Sequence, residues 1–313
     1  MPVVSVIMAA FNAQDTIKDS INSILNQTFS DFELIIANDG STDNTKEIVL
    51  SFIDPRIILI DMENKGPSIA RDIAIKKSKG KYLAILDSDD IALPERLQKQ
   101  VNFLENNKDY ILVGSNAIIL DRDENYVWTS TNPLTWEEIG KKFPYASFYH
   151  SSVMFTAEAY KLSGGYYTEN KLYIFEDSLL WNKMKEFGKM SNIKEPLIKY
   201  RLSPDAASSH SANDTKQINK IFEETIAGNE ISEKNRIFLS GIKSKLNHLE
   251  KERNYHLLIA KKFLWNNQFP QKSRASLKKA IKINPFKIYP YFLFLITFFP
   301  SKITHWFYSL KKR

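Results

Sequence analysis

Cysteine is absent from the 313 residues of this chain. Without cysteine there is no disulfide framework, no thiolate nucleophile and no zinc site built on cysteine ligands. Histidine is scarce, and the five histidines show no spacing typical of metal ligands. The length suffices for one large α/β domain with an appendage, or for two domains, held by a hydrophobic core alone. The lack of cysteine also suits a cytoplasmic enzyme.

A secretion signal is not apparent at the start of the sequence. The first eight residues, Met1 to Met8, contain no positively charged stretch and no cleavage site before the apolar segment begins. Such a segment predicts a first β-strand rather than a signal peptide. Export of the protein is therefore not expected.

Negative charge is scarce near the C-terminal end. Residues 241–313 contain 16 Lys and Arg against 2 Asp and Glu, a balance of +14, whereas residues 1–240 contain 27 against 34, a balance of −7. A basic tail is typical of contact with nucleic acid or with an anionic membrane. The neighbouring aromatic and aliphatic run from Ile288 to Phe299 favours the membrane. We therefore predict an anionic membrane surface as a partner, and no nucleic acid.

This apolar run is too short to span a bilayer. It has 12 residues, broken only by Pro290 and Thr297. As a helix it would extend roughly 18 Å, against ~30 Å for the hydrocarbon core. We expect it to lie in the interface, which makes the protein peripheral on the inner face of the cell membrane. The alternative is that the run packs as core against residues 215–285.

The first 120 residues alternate short apolar runs with helical patterns, which predicts βαβ units and a mostly parallel sheet. Helices are predicted where apolar residues recur every three or four positions, as at Ile17, Ile21 and Ile24. The apolar runs have no polar face, as expected for strands covered by helices on both sides. The fold class is therefore α/β, with strands expected at Val3 to Ala10, Phe32 to Ala37, Ile57 to Ile60, Tyr82 to Leu86 and Tyr110 to Gly114.

The pattern changes beyond residue 120. Residues 121–212 are aromatic-rich and irregular, with one clear helix from Ser178 to Phe187. From about Thr215 the pattern is helical, and Tyr255 to Pro285 resembles a single tetratricopeptide-type hairpin, which cannot form a solenoid alone. We therefore predict one domain over residues 1–212, with halves 1–120 and 121–212, followed by a basic helical appendage over residues 213–313.

Three carboxylates follow the buried strand that begins at Tyr82, namely Asp87, Asp89 and Asp90. In an open parallel sheet, ligands bind beyond the carboxyl ends of the strands, and carboxylates clustered there need a cation. Oxygen ligands of this kind suit Mg²⁺ or Mn²⁺, which can bridge to a diphosphate. The alternative is that these residues cap the helix opened by Pro94.

Three other segments each allow a chemical and a structural interpretation. Asp39, at the end of a strand, can accept the imide N–H of uracil or belong to an ordinary turn. Arg71, one turn into the helix that starts at Pro67, can reach a phosphate or ribose, or be a solvated helix arginine. Asp177, at the start of an amphipathic helix, can be a general base or an N-cap.

In this order the segments resemble the inverting family 2 glycosyltransferases of bacterial polysaccharide and lipopolysaccharide synthesis, which have the GT-A fold. The resemblance covers about residues 3–210, and ordered motifs are far more specific than any one of them. The motifs that carry it are Ser5 to Asn12, Asn38 to Ser41, Asn64 to Arg71, Lys79 to Tyr82, Asp87 to Asp90, Glu176 with Asp177, and Tyr200 with Arg201.

The resemblance implies a Rossmann-like GT-A domain, a mostly parallel sheet flanked by helices, with a C-terminal helical appendage. Residues 1–120 would bind the nucleotide sugar, and residues 121–212 would hold the acceptor and the base. Phe11 would stack on the donor base and Asp39 would bind its uracil. Asp89, with Asp87, would hold Mn²⁺ or Mg²⁺, and Asp177 would be the catalytic base. The other implied nucleotide-binding residues are Ala9, Ser88, Arg71 and Arg201; Asp87 would lie near the ribose and diphosphate, and the two arginines would neutralise the diphosphate.

Three positions depart from the family pattern. Asn38 stands where the family usually has the first of two aspartates, Asp72 where it usually has Asn, and Ala74 where Gly is common. The uracil contact falls on the second aspartate, Asp39. Asp72 adds a negative charge beside Arg71 in the sequence.

The implied reaction is one in-line displacement at the anomeric carbon of a UDP-sugar. Asp177 would remove the proton of the acceptor hydroxyl, and the configuration would invert, so an α-linked donor gives a β-linkage to a glycan or lipid-linked glycan. One alternative is a sugar nucleotidyltransferase, but residues 9–14 are not a Gly-rich basic phosphate loop. The other is a catalytically inactive nucleotide-sugar-binding protein, against which the presence of Asp39, Asp89 and Asp177 argues.

Overall fold

The computed structural model describes residues 1–145, 148–167, 175–204, 212–245, 247–266, 269–300, 303–304 and 306. The strands are β1 (Val4–Ala10), β2 (Phe32–Asp39), β3 (Ile57–Met62), β4 (Tyr82–Ile85), β5 (Ile91–Ala92), β6 (Tyr110–Leu120), β7 (Tyr126–Thr129), β8 (Met154–Thr156) and β9 (Lys189–Arg201). The helices are α1 (Ile17–Leu25), α2 (Thr45–Leu50), α3 (Pro67–Lys77), α4 (Arg96–Asn106), α5 (Trp136–Gly140), α6 (Ala157–Leu162), α7 (Glu176–Met184), α8 (Ala212–Ile226), α9 (Glu233–Lys245), α10 (His248–Trp265), α11 (Pro270–Ile283) and α12 (Ile288–Ile296), with one 3₁₀ turn at His150–Ser152.

The strands form a single mixed sheet in the order β3-β2-β1-β4-β8-β6-β9-β5, with β7 paired to β6. The pairs β1–β2, β1–β4 and β2–β3 are parallel, as the alternating pattern of the first 120 residues predicts. The pairs β4–β8, β6–β8 and β5–β9 are antiparallel. The carboxyl ends of β1, β2 and β4 therefore meet at one edge of the sheet, where ligands bind in folds of this type.

Both faces of β1, β2 and β4 are buried, which confirms the prediction of helices on both sides for these strands, whereas β3 at the end of the sheet is only half-buried. In β1, Val6 and Met8 belong to a core cluster that includes Ile21 of α1. The intervening residue Ile7 belongs to the cluster on the opposite face, which includes Ala70 of α3. Successive side chains of a strand point to opposite faces, so an all-apolar run is what a doubly covered strand requires.

The segment Lys79 to Tyr82 ties the amino ends of three strands together. The Gly80 N–H donates to Ser5 Oγ over 2.8 Å, and the Lys79 N–H donates to Glu33 Oε1 over 2.7 Å. A Cβ on Gly80 would collide with the backbone N of Ser5. Glycine is therefore required here by close backbone approach, and this part of the family-like motif has a structural role at the edge remote from the strand ends that carry the acidic residues.

Several elements are absent from the sequence-based prediction. The strands β5, β7, β8 and β9 and the helices α5 and α6 all lie beyond the predicted first half or are very short. The helix expected from Pro94 begins at Arg96 instead, because Pro94 and Glu95 form a turn before it. The predicted helices near Thr215 and over Tyr255 to Pro285 are present as α8, α10 and α11.

The chain forms two compact units that interleave in sequence. The first contains Met1–Ile118, Thr129–Tyr200 and Lys216–Ser240; the second contains Ile119–Trp128, Arg201–Thr215 and Gly241–Arg313. In the second unit, α10, α11 and α12 share a core of Ala260, Leu264, Leu277, Leu293 and Ile296. None of the helices in the described ranges has both the length and the apolar character needed to cross a bilayer.

Candidate active site

The loops that follow β1 and β2 are fastened to each other. The Asn12 N–H donates to Ser41 Oγ over 3.0 Å, and Asn12 Oδ1 accepts from the Thr42 N–H over 2.8 Å. These bonds hold Asn12 in the left-handed region, at a φ of 50°. The neighbouring Phe11 is 50% exposed, so its ring is accessible to a planar ligand, while Ala9 lies inside β1 opposite Ala37 of β2.

Asp39, at the end of β2, fixes the start of α3. Its Oδ1 accepts from the Lys65 N–H over 2.7 Å, and its Oδ2 accepts from the Gly66 N–H over 2.8 Å. Gly66 has a φ of 96°, which favours glycine, and Pro67 follows as the first residue of α3. Each carboxylate oxygen can accept more than one hydrogen bond. The buried Asp39 therefore has a structural role, and its predicted contact with uracil stays a prediction.

Arg71 lies at the centre of the site, and the interpretation as a solvated helix arginine is wrong. The residue is 7% exposed. Its Nη2 contacts Asp87 Oδ1 at 2.6 Å and its Nη1 contacts Glu176 Oε1 at 3.3 Å. Burial opposes its charge, but Asp87, followed by Tyr166 and Glu176, outweighs burial and raises the pKa of the guanidinium. Arg71 is thus a buried cation that joins the end of β4 to the start of α7.

The neighbouring Asp72 does not compete for this arginine through its described contacts. Its Oδ2 pairs with Lys76 at 2.6 Å, and its Oδ1 accepts from the Tyr160 hydroxyl over 3.0 Å. The extra negative charge at this departure from the family pattern therefore has its own cation on the same helix.

The pKa of Asp87 shows how strong the electrostatic effect of Arg71 is. Burial alone would raise the pKa of this carboxyl, yet Arg71 outweighs it and holds the pKa at about 2. The Asp87 N–H donates to Ser151 Oγ over 3.0 Å, which orients the backbone where β4 ends. Asp87 is therefore ionised at neutral pH.

The acidic segment after β4 does not cap a helix, so the structural alternative for it is wrong. The N-cap of α4 is Glu95, five residues beyond Asp90, and β5 intervenes. The carbonyl of Ser88 accepts from the hydroxyls of Thr16 and Ser20 of α1, each over 2.9 Å. The segment is thus held in place by its backbone.

Glu176 and Asp177 open α7. The N-cap of this helix is Phe175, so Asp177 lies inside the first turn and the N-cap alternative for it is wrong. Asp177 Oδ1 accepts from the Ser178 N–H over 2.6 Å. Burial raises the pKa of Asp177, and burial raises the pKa of Glu176 to about 7 against the opposing effect of Arg71. Both carboxyl groups are therefore more basic than in water, as a proton acceptor needs to be.

Arg96 is a buried cation that the sequence reasoning missed. It is fully buried, and it donates to the carbonyl of Ile85 over 2.7 Å and to that of Val153 over 3.2 Å. Burial lowers the pKa of this guanidinium to about 9, while Asp90 and Asp87 act in the opposite direction. The group stays positive at neutral pH beneath the acidic segment. The available signal was an arginine beside Leu97 on the apolar face of a predicted helix.

His150 was also missed, because a lone histidine carries no spacing pattern. Its Nε2 lies 2.7 Å from the hydroxyl of Tyr166, and its Nδ1 lies 3.9 Å from Asp87 Oδ1. Burial, followed by Arg71, lowers the pKa of His150 to about 3, so the ring is neutral. His150 therefore supports the network as a neutral hydrogen-bonding group.

The pair Tyr200 and Arg201 is divided between the two compact units. Burial raises the pKa of Tyr200 well above its ordinary value, and the carboxylates of Asp90, Asp87 and Asp89 raise it further. Arg201 belongs to the second unit, where its Nε donates to Glu124 Oε1 over 3.1 Å. The predicted contact of Arg201 with a diphosphate stays a prediction.

The donor set at the end of β4 suits a cation that arrives with its ligand. Among the residues that the structure describes, no three acidic or histidine side chains are grouped as a ready-made metal site. Mg²⁺ is commonly held by only one or two carboxylates, together with waters and the phosphates of a substrate. Asp87 and Asp89 are oxygen donors of this kind, and they fit such a site.

Comparison with known proteins agrees with the nucleotide-binding chemistry that the geometry allows. The family model described as glycosyl transferase family 2 matches residues 5–162. An uncharacterized glycosyltransferase of Haemophilus influenzae is 34% identical over 235 residues, which cover 68% of this chain and 71% of that protein. WfaP of Escherichia coli, named as a UDP-Glc:alpha-D-GlcNAc-diphosphoundecaprenol beta-1,3-glucosyltransferase, is 33% identical over 220 residues, which cover 70% of this chain and 83% of that protein.

Solved structures share the fold. The crystal structure of S. aureus TarS 1-349 in complex with UDP-GlcNAc superposes with a TM-score of 0.55 at 16% identity. The superposition covers 99% of this chain and 92% of that one. At this identity the likeness establishes the architecture alone.

Proposed function

Because the chain belongs to glycosyltransferase family 2 and has the GT-A fold, we propose that it is an inverting enzyme that transfers a sugar from a UDP-sugar to an acceptor hydroxyl. The family and the fold agree with the resemblance in the sequence motifs. We propose the inversion of configuration, the β-linkage in the product and the UDP-sugar donor. We also propose a place in surface polysaccharide or lipopolysaccharide synthesis, which is supported by the name of the relative WfaP.

The observation that carries the proposal is the buried contact of Arg71 with Asp87 and Glu176, beside Asp177, where the parallel strands end. A nucleoside diphosphate leaving group needs positive charge at the departing oxygen. Arg71 supplies a permanent cation there. Asp177, with its raised pKa, accepts the proton of the attacking hydroxyl.

The structure suggests how Arg71 becomes available to a ligand. Its contact with Glu176 is the longer of its two, and Glu176 has a pKa of about 7, so near neutral pH this carboxyl is often protonated. A protonated Glu176 releases Arg71 at little electrostatic cost. The guanidinium then turns towards the diphosphate while it keeps Asp87.

We assign the metal-binding role to Asp89 and Asp87, with Mn²⁺ or Mg²⁺ as the ion. When bound, such an ion would neutralise charge on the diphosphate. Phe11, with its half-exposed ring, provides a stacking surface for the base. Ala9, Asp39 and Ser88 complete the nucleotide side of the proposed site.

For the acceptor we propose a glycan carried on a lipid diphosphate. WfaP, the relative from Escherichia coli, is named for an acceptor of this type and for UDP-Glc as donor. A lipid-linked acceptor places the reaction at a membrane surface, for which we propose the inner face of the cell membrane. The basic C-terminal region is the part of the chain suited to that surface.

The test is a panel of nucleotide sugars scored by thermal stabilisation in the presence and absence of Mn²⁺. UDP-glucose and UDP-GlcNAc are the first donors to examine, followed by transfer to a synthetic GlcNAc-α-diphosphate lipid and determination of the product anomer by NMR. Stabilisation by a UDP-sugar and a β-linked product are expected. Release of pyrophosphate from UTP and a sugar phosphate would instead identify a nucleotidyltransferase. Donor binding with neither transfer nor donor hydrolysis on any acceptor tested would favour the inactive binding protein.

A further inference from the structure

Helix α12 has one apolar face in the core of the second unit and a second set of large apolar side chains that are substantially exposed. Leu293 and Ile296 are buried in the core of the second unit against Ala260, Leu264 and Leu277. The expectation that the run packs as core is therefore correct for one side of the helix. It does not account for the other side.

The second set consists of large apolar side chains that are about half exposed or more. Ile288 is 82% exposed, Phe292 47% and Leu295 62%, and Phe299, in the turn after the helix, is 49% exposed. These residues are spaced by four, three and four positions, which places them on one side of a helix. Single exposed apolar residues are ordinary, but an aligned stripe of four marks an interaction surface.

Positively charged side chains lie over aromatic rings at both ends of α12. The Lys261 ammonium lies 5.0 Å from the ring centroid of Tyr289, and the Arg274 guanidinium lies 4.6 Å from that of Phe298. The Arg274 Nη1 also donates to the carbonyl of Thr297 over 3.3 Å. Aromatic rings and long basic side chains are the groups that proteins place at the headgroup level of a bilayer.

The net charge of the surrounding chain indicates which kind of partner this face binds. Residues 241–313 have a balance of +14, from 16 Lys and Arg and 2 Asp and Glu. A second copy of the same face would bring two strongly positive regions together, which opposes self-association. An anionic lipid surface attracts the same charges and also accepts the apolar stripe.

We propose that the outward stripe of α12, defined as Ile288, Phe292, Leu295 and Phe299, docks on an anionic lipid bilayer with the helix lying in the plane of the interface. The nine residues of α12 extend roughly 14 Å, well short of the ~30 Å hydrocarbon core. The helix therefore does not span. Its packed face stays on α10 and α11, so docking needs no unfolding of the unit. This proposal specifies the membrane partner given above and does not depend on which sugar is transferred.

The experiment measures sedimentation of the full chain with vesicles of phosphatidylcholine alone and of phosphatidylcholine mixed with phosphatidylglycerol. The variant Ile288→Ser/Phe292→Ser/Leu295→Ser removes most of the stripe. Each buried aliphatic or aromatic side chain is worth about a factor of ten or more in partitioning, so we expect the triple variant to lose at least a hundredfold in binding. High salt should weaken wild-type binding to the anionic vesicles.

A matched control removes exposed apolar side chains from the first unit. The variant Leu50→Ser/Ile53→Ser/Leu162→Ser changes three well-exposed residues and should sediment like wild type. Both variants should keep wild-type thermal stability and UDP-induced stabilisation, because the substituted side chains are exposed. If UDP binding fails in all three proteins while sedimentation follows the expected order, the proposed catalysis is wrong and the docking surface stands.

Three results would overturn the inference. Wild-type protein that fails to sediment with anionic vesicles would do so, and so would a triple variant that binds them as tightly as wild type. The third is a concentration-dependent dimer of wild type that becomes monomeric in the triple variant, because the stripe would then be an interface between copies of this chain.

Discussion

Replacing Asp177 by asparagine separates catalysis from structure at the start of α7. Asparagine has nearly the same shape, and its side-chain carbonyl can accept the bond from the Ser178 N–H that Asp177 Oδ1 accepts over 2.6 Å. It cannot take the proton of an acceptor hydroxyl. Loss of a general base typically lowers the rate by 10²- to 10⁴-fold, about 2.7 to 5.5 kcal/mol of transition-state stabilisation.

The expected cost in stability is much smaller. A carboxylate in the first turn of a helix gains about 0.3–1 kcal/mol from the helix dipole. Burial raises the pKa of Asp177, which shows that its charge is unfavourably placed, and a neutral amide avoids that cost. The two effects oppose each other, so the free energy of unfolding should change by less than about 1 kcal/mol, a Tm shift of no more than about 4 °C.

The assay compares wild type, Asp177→Asn, Glu176→Gln and the exposed control Glu186→Gln. For each protein we would measure kcat and KM for transfer, the Kd for the donor, and the Tm. Asp177→Asn should lose at least a hundredfold in kcat with the donor Kd and Tm near wild type, while Glu186→Gln stays normal. Near-normal turnover in Asp177→Asn would refute the assignment, and a collapse confined to Glu176→Gln would move the base by one residue.

Asp89→Ala should abolish Mn²⁺-dependent stabilisation by UDP in a thermal-shift assay without unfolding the protein, and EDTA-insensitive tight binding of UDP by wild type would contradict the metal role. Arg71→Ala leaves buried carboxylates without their cation and should cost about 3–5 kcal/mol in urea denaturation at pH 8, with a smaller loss at pH 5 where those groups can be protonated. The pKa of Glu176 rises on folding from 4.5 to about 7, so the native state binds its proton more tightly and stability should fall as pH rises through that window; Glu176→Gln should flatten this dependence in urea denaturation. Gly80→Ala forces a side chain into the backbone of β1 and should cost at least ~1–3 kcal/mol, whereas Gly140→Ala, which has nothing near its added Cβ, should be close to neutral by the same measurement.

The first half of the fold is predictable because its strands are apolar on both faces. A continuous run such as Val4 to Ala10 has one interpretation when helical patterns flank it. The later strands carry weaker signals. β8 has three residues, and β9 contains Pro196 and mixes buried, half-buried and exposed positions without regular alternation, so neither forms a run that stands out from an irregular segment.

The candidate site, like the fold, is predictable from the sequence only in part. Asp87, Asp177 and Arg71 are recognisable because each lies in a short ordered motif at the end of a strand or the start of a helix. Their mutual contacts are not recognisable, since Arg71 and Glu176 are 105 positions apart in the chain. Arg96 was missed because its position on an apolar helix face is read as an exception to the pattern. Only the three-dimensional arrangement shows that it lies beneath the acidic segment.

The two buried arginines near the end of β4 bear on how this enzyme can be handled. Arg71 contacts Asp87 directly, and Arg96 keeps its charge at neutral pH below the same acidic segment. The two arginines act as counter-ions for the carboxylates. The repulsion between the carboxylates is therefore reduced even when no dissolved cation is bound. The protein should therefore fold in a buffer that contains no divalent cation. On the proposed metal role, protein treated with a chelator should keep its folded structure and should be stabilised by UDP again once Mn²⁺ is added.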